Sequence, residues 1–367
     1  MIYKKILIVS TALIFIIIHI STASEDRYGV DFLQRLTVAR NNGAGYSSAS
    51  YSIGASALNN NPAGLPFGES NELLINTHKL PDISVIMMKQ NLDGTWEDYG
   101  RYDVFSNDIG LINFNLPFGK FGSLGIGFAI NYNGRFIRVD ENGKAVNSFS
   151  RDDFAFTLGY GIKVYRGISL GFDVKTVRSK IPLDEEDTKD TIGRTTAANI
   201  GFLHQIGNRV RVGAVFQNLG DELSFNRDDI PDELRSQVLI GATCIIKDSA
   251  NTLLLLNTDI NPPFRDGPRY NLGLELVYAD IFILRAGYFR TTDKYYEPLV
   301  NLNDGSLLDE ERVWINKGFT FGLGLRFGSM EFNFARTPRR EPLLLDGEKM
   351  RISESDPIIS FSCNARF

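Results

Sequence analysis

Cysteine is nearly absent from this sequence: Cys244 and Cys363 are the two in 367 residues. They form no Cys-x-x-Cys, so neither a disulfide framework nor a zinc site is signalled. Histidine is as scarce, with three in all. His78 and His204 stand apart from one another, and each is read as a hydrogen-bonding or interface residue rather than a catalytic one. No basic stripe points to nucleic acid. After residue 23 no apolar run reaches the length of a transmembrane helix. "GISLG", Gly167 to Gly171, matches the G-x-S-x-G elbow, but it opens an amphipathic strand instead of a strand-to-helix turn. No catalytic residue, metal site or cofactor is therefore expected, and the chain is not read as an enzyme.

What is present begins at the N-terminus. Lys4 and Lys5 precede an apolar run from Ile6 to Ile20, and Ser21-Thr22-Ala23 offers small residues for cleavage. Residues 1–23 read as a secretory signal peptide; a retained anchor helix is the alternative. Without the two leader lysines, 37 basic residues face 44 acidic ones, a net charge of −7. An exported chain with no further apolar helix is either soluble or a barrel.

Period-two patterning points to the barrel. At the C-terminus Ile359, Phe361, Cys363, Ala365 and Phe367 share one face, with Ser360, Ser362, Asn364 and Arg366 on the other. Phe319, Phe321, Leu323, Leu325 and Phe327 alternate with Thr320, Gly322, Gly324 and Arg326. Leu124, Ile126, Phe128, Ile130 and Tyr132 alternate with Gly125, Gly127, Ala129 and Asn131. A soluble sandwich alternates too. Here the apolar faces carry large groups for about ten residues at a time, as tilted membrane strands do. The opposite faces are rich in glycine and charge, as a lumen is.

Connection lengths strengthen this reading. Tight turns are expected near 117–121, 166, 207, 248–249, 279 and 328. Long polar loops are expected near 80–104, 139–150, 181–193, 220–234, 292–316 and 338–356, with a shorter one at 262–268. Short periplasmic turns and long outer loops are the outer-membrane pattern. Fifteen strand-like runs can be counted, but both termini on one side require an even number. "ISVIMMKQ", Ile83 to Gln90, alternates poorly and is assigned to an outer hairpin or loop excursion. The expected fold is all-β: a single 14-stranded antiparallel transmembrane barrel over residues 71–367. Phe118, Phe121, Tyr165, Tyr278, Phe282 and Phe327 near the inner turns suit an aromatic girdle.

A barrel of that size is open or plugged. Residues 24–70 lack a clear strand and contain "GASALNNNPAGL", rich in small and amide side chains. They are read as an N-terminal plug, with a flexible periplasmic tail as the alternative. Pro62 fixes its own φ and restricts Asn61, and Gly64 permits positive φ, so Asn-Pro-Ala-Gly reads as a specific turn. The amides of Asn59, Asn60 and Asn61 are expected to tie that turn to barrel-wall carbonyls and lumen charges.

This stretch resembles the hatch motif of the FadL/TodX-like outer-membrane superfamily, especially its PorV/PorQ-like branch. Asn61, Pro62, Ala63, Gly64 and Leu65 match the motif. "LPFGKFGSLGIGF", Leu116 to Phe128, resembles the first periplasmic turn, and "VGAVFQNLG", Val212 to Gly220, a mid-barrel strand. The resemblance implies a hatch that occludes the barrel and passive transport of hydrophobic small molecules. In the PorV-like branch it implies secretion or surface assembly without small-molecule transport.

Four cations fall on polar strand faces: Lys175, Arg211, Arg285 and Arg326. They are candidate ligand contacts in the lumen; pairing with acids such as Asp173 and Glu275 is the alternative. The expected partners are outer-membrane lipid and lipopolysaccharide, a hydrophobic small-molecule ligand and a secretion-system component, with no nucleic acid. The acidic run "DEEDTKD", 184–190, is read as solvated charge, with divalent-cation bridging to lipopolysaccharide as the second reading.

Overall fold

A computed structural model describes residues 28–29, 31–79, 83–90, 96–104, 108–139, 145–181, 191–225, 233–262, 268–300, 307–338, 350–352 and 357–367. Residues 1–23, expected to be a leader, and the acidic run at 184–190 lie outside the described residues. Fourteen antiparallel strands close into a barrel. We number the barrel strands alone, in chain order. They are β1 (Glu72–Lys79), β2 (Asp108–Pro117), β3 (Ser123–Val139), β4 (Ala145–Tyr165), β5 (Ile168–Ile181), β6 (Thr191–Ile206) and β7 (Val210–Gly220). The second half is β8 (Gln237–Ser249), β9 (Thr252–Asn261), β10 (Arg269–Tyr278), β11 (Phe282–Val300), β12 (Leu307–Phe327), β13 (Met330–Thr337) and β14 (Ile358–Arg366). Each strand pairs with its chain neighbours, and β14 returns to β1 with Arg366 opposite Glu72. Closure leaves no free sheet edge.

The period-two pattern sorts side chains to two surfaces. Ile130, Phe172, Ile200, Leu272, Leu284, Phe319 and Phe361 point outward and are exposed. Their strand neighbours Asn131, Asp173, Asn199, Asn271, Arg285, Thr320 and Ser360 point inward and are buried. The six aromatics at the inner turns are all exposed, Phe121 at 68% and Phe327 at 60%. Added Cβ atoms at Gly207 and Gly328 would meet nothing, so glycine stands there for its positive φ alone. At the β10–β11 turn Ala279 and Asp280 hold positive φ.

The run Ile83–Gln90 is a strand outside the barrel. It pairs with Trp96–Val104 and with Met350–Ile352 in a separate three-stranded sheet. The expected loops at 139–150 and 292–316 are shorter than the sequence suggested. Pairing continues from β3 and β4 out to Val139 opposite Ala145, and from β11 and β12 out to Val300 opposite Leu307. Paired backbone keeps its hydrogen bonds regardless of side-chain polarity, so composition underestimated these hairpins. The turn expected at 248–249 falls after Ser249, because a bulge between Ile245 and Lys247 adds a residue to β8.

Cys244 on β8 and Cys363 on β14 are both free and half-buried, six strands apart around the wall. Their separation excludes a disulfide. Unreduced, denatured protein treated with iodoacetamide should be alkylated at both cysteines; a mass showing neither adduct would overturn this placement.

Candidate functional site

Residues 38–68 run inside the barrel and are buried except for Arg40, Ile53 and Phe67, which are half-buried. Their regular structure is limited to a five-residue helix, α1 (Ala39–Gly43), and the 3-10 turns Gly54–Ser56 and Pro62–Phe67. A segment this irregular can be buried only if the wall comes close and supplies partners.

Glycine provides the close approach. Gly161, Gly171 and Gly201 are register neighbours across β4, β5 and β6. A Cβ at Gly171 would stand 2.3 Å from the Ala63 nitrogen and the Pro62 carbonyl carbon. One at Gly201 would stand 2.0 Å from the Asn61 side-chain oxygen. Across the barrel, Cβ atoms at Gly273 and Gly287 would meet Ala44 O at 2.2 Å and Gly45 N at 2.1 Å. The wall is thus scooped out along the path of the inner segment. Sequence reading noted glycine-rich lumen faces but not this role; the signal was their recurrence at matching heights on adjacent strands.

The Asn-Pro-Ala-Gly-Leu turn lies against the scoop. Asn61 is extended (φ −136°), as the following proline requires, and its side chain caps the turn by accepting from Ala63 N at 3.1 Å. Its Nδ2 donates to Ala49 O at 2.6 Å and to Phe202 O on β6 at 3.1 Å. Asn59 accepts from Thr157 at 2.9 Å, and Gln217 on β7 donates to Asn60 O at 2.6 Å. Leu65 packs with Ala57 and Leu58. Gly64 does not use positive φ, contrary to the expectation; it is needed because a Cβ would stand 2.3 Å from Ser52 O.

Acids on the wall hold the rest. Asp259 accepts from Ser48 N at 2.5 Å and Ala49 N at 3.0 Å, and Glu72 accepts from Ala55 N at 2.7 Å. Glu275 receives Arg40 at 3.0 Å, Arg285 at 2.6 Å and the Tyr51 hydroxyl. Burial, aided by Glu275 and opposed by Arg40, pushes the Tyr51 phenol up to about 12, so it remains a donor. His78 is buried between Ser360 (2.7 Å), Asn76 (2.9 Å) and Thr37 O (2.6 Å).

The four candidate cations fall into two groups. Lys175 is fully buried and 2.5 Å from Asp173. Arg285 reaches Glu275, and Arg326 reaches Glu331 at 2.9 Å and Asp280. Arg211 Nε donates no hydrogen bond, and the residue borders a cavity of about 280 Å³ at the β6–β7 turn.

Towards the opposite end the lumen turns apolar. Leu111, Ala129, Ala155 and Val177 stand side by side in register across β2 to β5, with Ile109 and Ala197 adjoining. Phe32, Leu33 and Leu36, within and just after the 3-10 turn Asp31–Arg35, cover them.

These contacts predict separable defects. Asn61→Ala with Pro62→Ala removes a cap and two buried hydrogen bonds, weakening the seating by about 2–4 kcal/mol. The barrel keeps its own strand bonds, so heat-modifiable migration on gels should persist while conductance in planar bilayers rises. Gly171→Val should do the same by direct clash. Unchanged conductance in both variants would mean that these contacts do not hold the segment in place.

Neither a protein-family model nor a curated protein matches the chain by sequence. Solved structures do match in fold. A Pseudomonas aeruginosa FadL homologue superimposes with TM-score 0.58 at 14% identity, over 90% of this chain and 98% of that one. The Pseudomonas putida toluene transporter TodX gives TM-score 0.54 at 13% identity, over 94% and 100%. The Ralstonia pickettii toluene transporter TbuX gives TM-score 0.56 at 11% identity, over 90% and 98%. At these identities the shared property is the architecture: this chain has the fold of the FadL-like barrels.

Proposed function

We propose that the chain is an outer-membrane barrel that passes small hydrophobic molecules, with residues 24–70 as its plug. The observation that carries this reading is the contiguous apolar patch of Ile109, Leu111, Ala129, Ala155, Val177 and Ala197 on the lumen face. A water-filled pore for polar solutes gains nothing from such a patch, whereas a hydrophobic solute needs one as a resting place. The outward belt of exposed Ile, Leu and Phe suits lipid contact, and the leader suits export. The transporters of like fold named above carry toluene, which agrees with a small apolar substrate. Phe32, Leu33 and Leu36 pack against this patch, so a solute reaches it by displacing them.

A second reading, surface assembly or secretion as in PorV-like barrels, draws on the three-stranded sheet built outside the barrel. A secretion component co-purifying through that sheet would favour it.

The first reading is tested by toluene uptake into cells carrying the protein. Phe32→Ala with Leu36→Ala should uncover the patch and raise uptake. Ala155→Phe should obstruct it and lower uptake several-fold, with heat-modifiable migration retained. Uptake equal to that of cells lacking the protein would sink the transport reading.

A further inference from the structure

Arg211 departs from the other lumen cations in a way the barrel register makes plain. Arg285 stands directly opposite Glu275, and Arg326 directly opposite Glu331. Lys175 shares a strand face with Asp173 two residues away. Opposite Arg211 stand Gln205 on β6 and Thr243 on β8, both neutral. Its Nε is buried with no hydrogen-bond partner. The nearby Glu275 is already engaged by Arg40, Arg285 and Tyr51. Arg211 is thus the one of the four cations with no acid opposite it or beside it on its face.

The cavity beside it is lined by Gln205, Asn208, Arg209, Arg211, Thr243 and Ile245, with Gly207 at the turn. Its lining holds two guanidiniums and no acid. It lies at the inner-turn end of the lumen, beneath the plug, where Thr243 is hydrogen-bonded to Ser50 at 2.9 Å. About 280 Å³ is room for a small organic anion rather than for a single ion.

We infer that this cavity is a binding site for a carboxylate, held by the Arg211 guanidinium with Arg209 at the entrance. A guanidinium edge and a carboxylate match bidentately, and the aliphatic side chain of Ile245 offers an apolar wall to the body of an organic acid. The site is separate from the apolar patch and does not depend on the passage of hydrophobic solutes. Because Thr243 belongs both to the cavity and to the Ser50 contact, an occupant touches the wall residue that anchors the plug.

The test is calorimetric titration of the purified full chain with sodium benzoate, alongside benzyl alcohol and inorganic phosphate. Benzoate should bind saturably and more weakly as salt rises, and benzyl alcohol should not bind this site. Loss of one charge-assisted hydrogen bond in Arg211→Gln should weaken benzoate about tenfold or more. Arg211→Lys, which keeps charge without the fork, should fall between. Arg209→Gln, at an exposed turn position, should weaken binding less and serves if Arg211→Gln fails to reach the heat-modifiable form. No benzoate binding, equal binding of benzyl alcohol, phosphate binding alone, or benzoate affinity unchanged in the arginine variants would each overturn the assignment.

Discussion

Backbone buried without regular secondary structure must find partners in its own turns or in its surroundings. The inner segment from residue 38 to residue 68 meets this requirement partly in its own turns, such as Asn42 N to Val38 O and Gly64 N to Asn61 O, and partly through the barrel wall. Its amides at Ser48, Ala49 and Ala55 donate to the carboxylates of Asp259 and Glu72. Its carbonyls at Gly43, Asn60 and Leu65 accept from Thr320, Gln217 and Asn115. A carboxylate accepting a backbone N–H is stronger than a neutral bond, and three such bonds fix the segment at two places around the circumference. The lumen composition follows from this demand. Asparagine, threonine and acids sit where the segment needs partners, and glycine sits where it needs space.

The two roles are coupled. A hydrogen bond from wall to segment requires an approach that a Cβ on the neighbouring wall position would prevent. Gly201 shows the coupling directly: the Asn61 amide reaches Phe202 O only because the space a Gly201 side chain would fill is empty. Barrel and inner segment are therefore one packing unit, although the strands alone satisfy the barrel's own backbone.

Much of the barrel was legible in the sequence because period-two alternation survives translation into structure with little help from distant contacts. The strand count followed from it, and Ile83–Gln90 stood out because it alternates poorly, while the exposed aromatics followed from the turn positions. Loop lengths were less legible, since pairing at β11 and β12 continues through polar residues that composition assigns to loops. The seating of the inner segment was not legible in detail. Which acid meets which amide depends on bringing Ser48 to Asp259 and Ala55 to Glu72, and sequence gives no register between an irregular segment and a strand. The pairs Glu275–Arg285 and Arg326–Glu331 could have been read earlier, because each stands opposite its partner across a tight hairpin turn.

The wall acids also differ in what they lose if the segment moves. Glu275 binds Arg40 and Tyr51 of the segment, but Arg285 on the next strand remains beside it. Its charge stays compensated whether or not the segment is seated, so this part of the wall tolerates displacement. The bonds from Ser48 and Ala49 to Asp259, by contrast, exist only in the seated state. Unseating takes two of Glu275's three partners but leaves it one guanidinium, whereas it takes from Asp259 both amides of the segment. The segment is therefore hinged unevenly. Its residues 48–49 are the firmer attachment, whereas Phe32, Leu33 and Leu36 cover the apolar patch by nonpolar contact, with Gln34 between them accepting from Arg269 at 3.0 Å. A hydrophobic solute can replace the nonpolar contacts in kind, so this end yields at the cost of the single Arg269–Gln34 bond and the short Tyr28–Gly29 pairing, while the Asn-Pro-Ala-Gly-Leu turn stays seated.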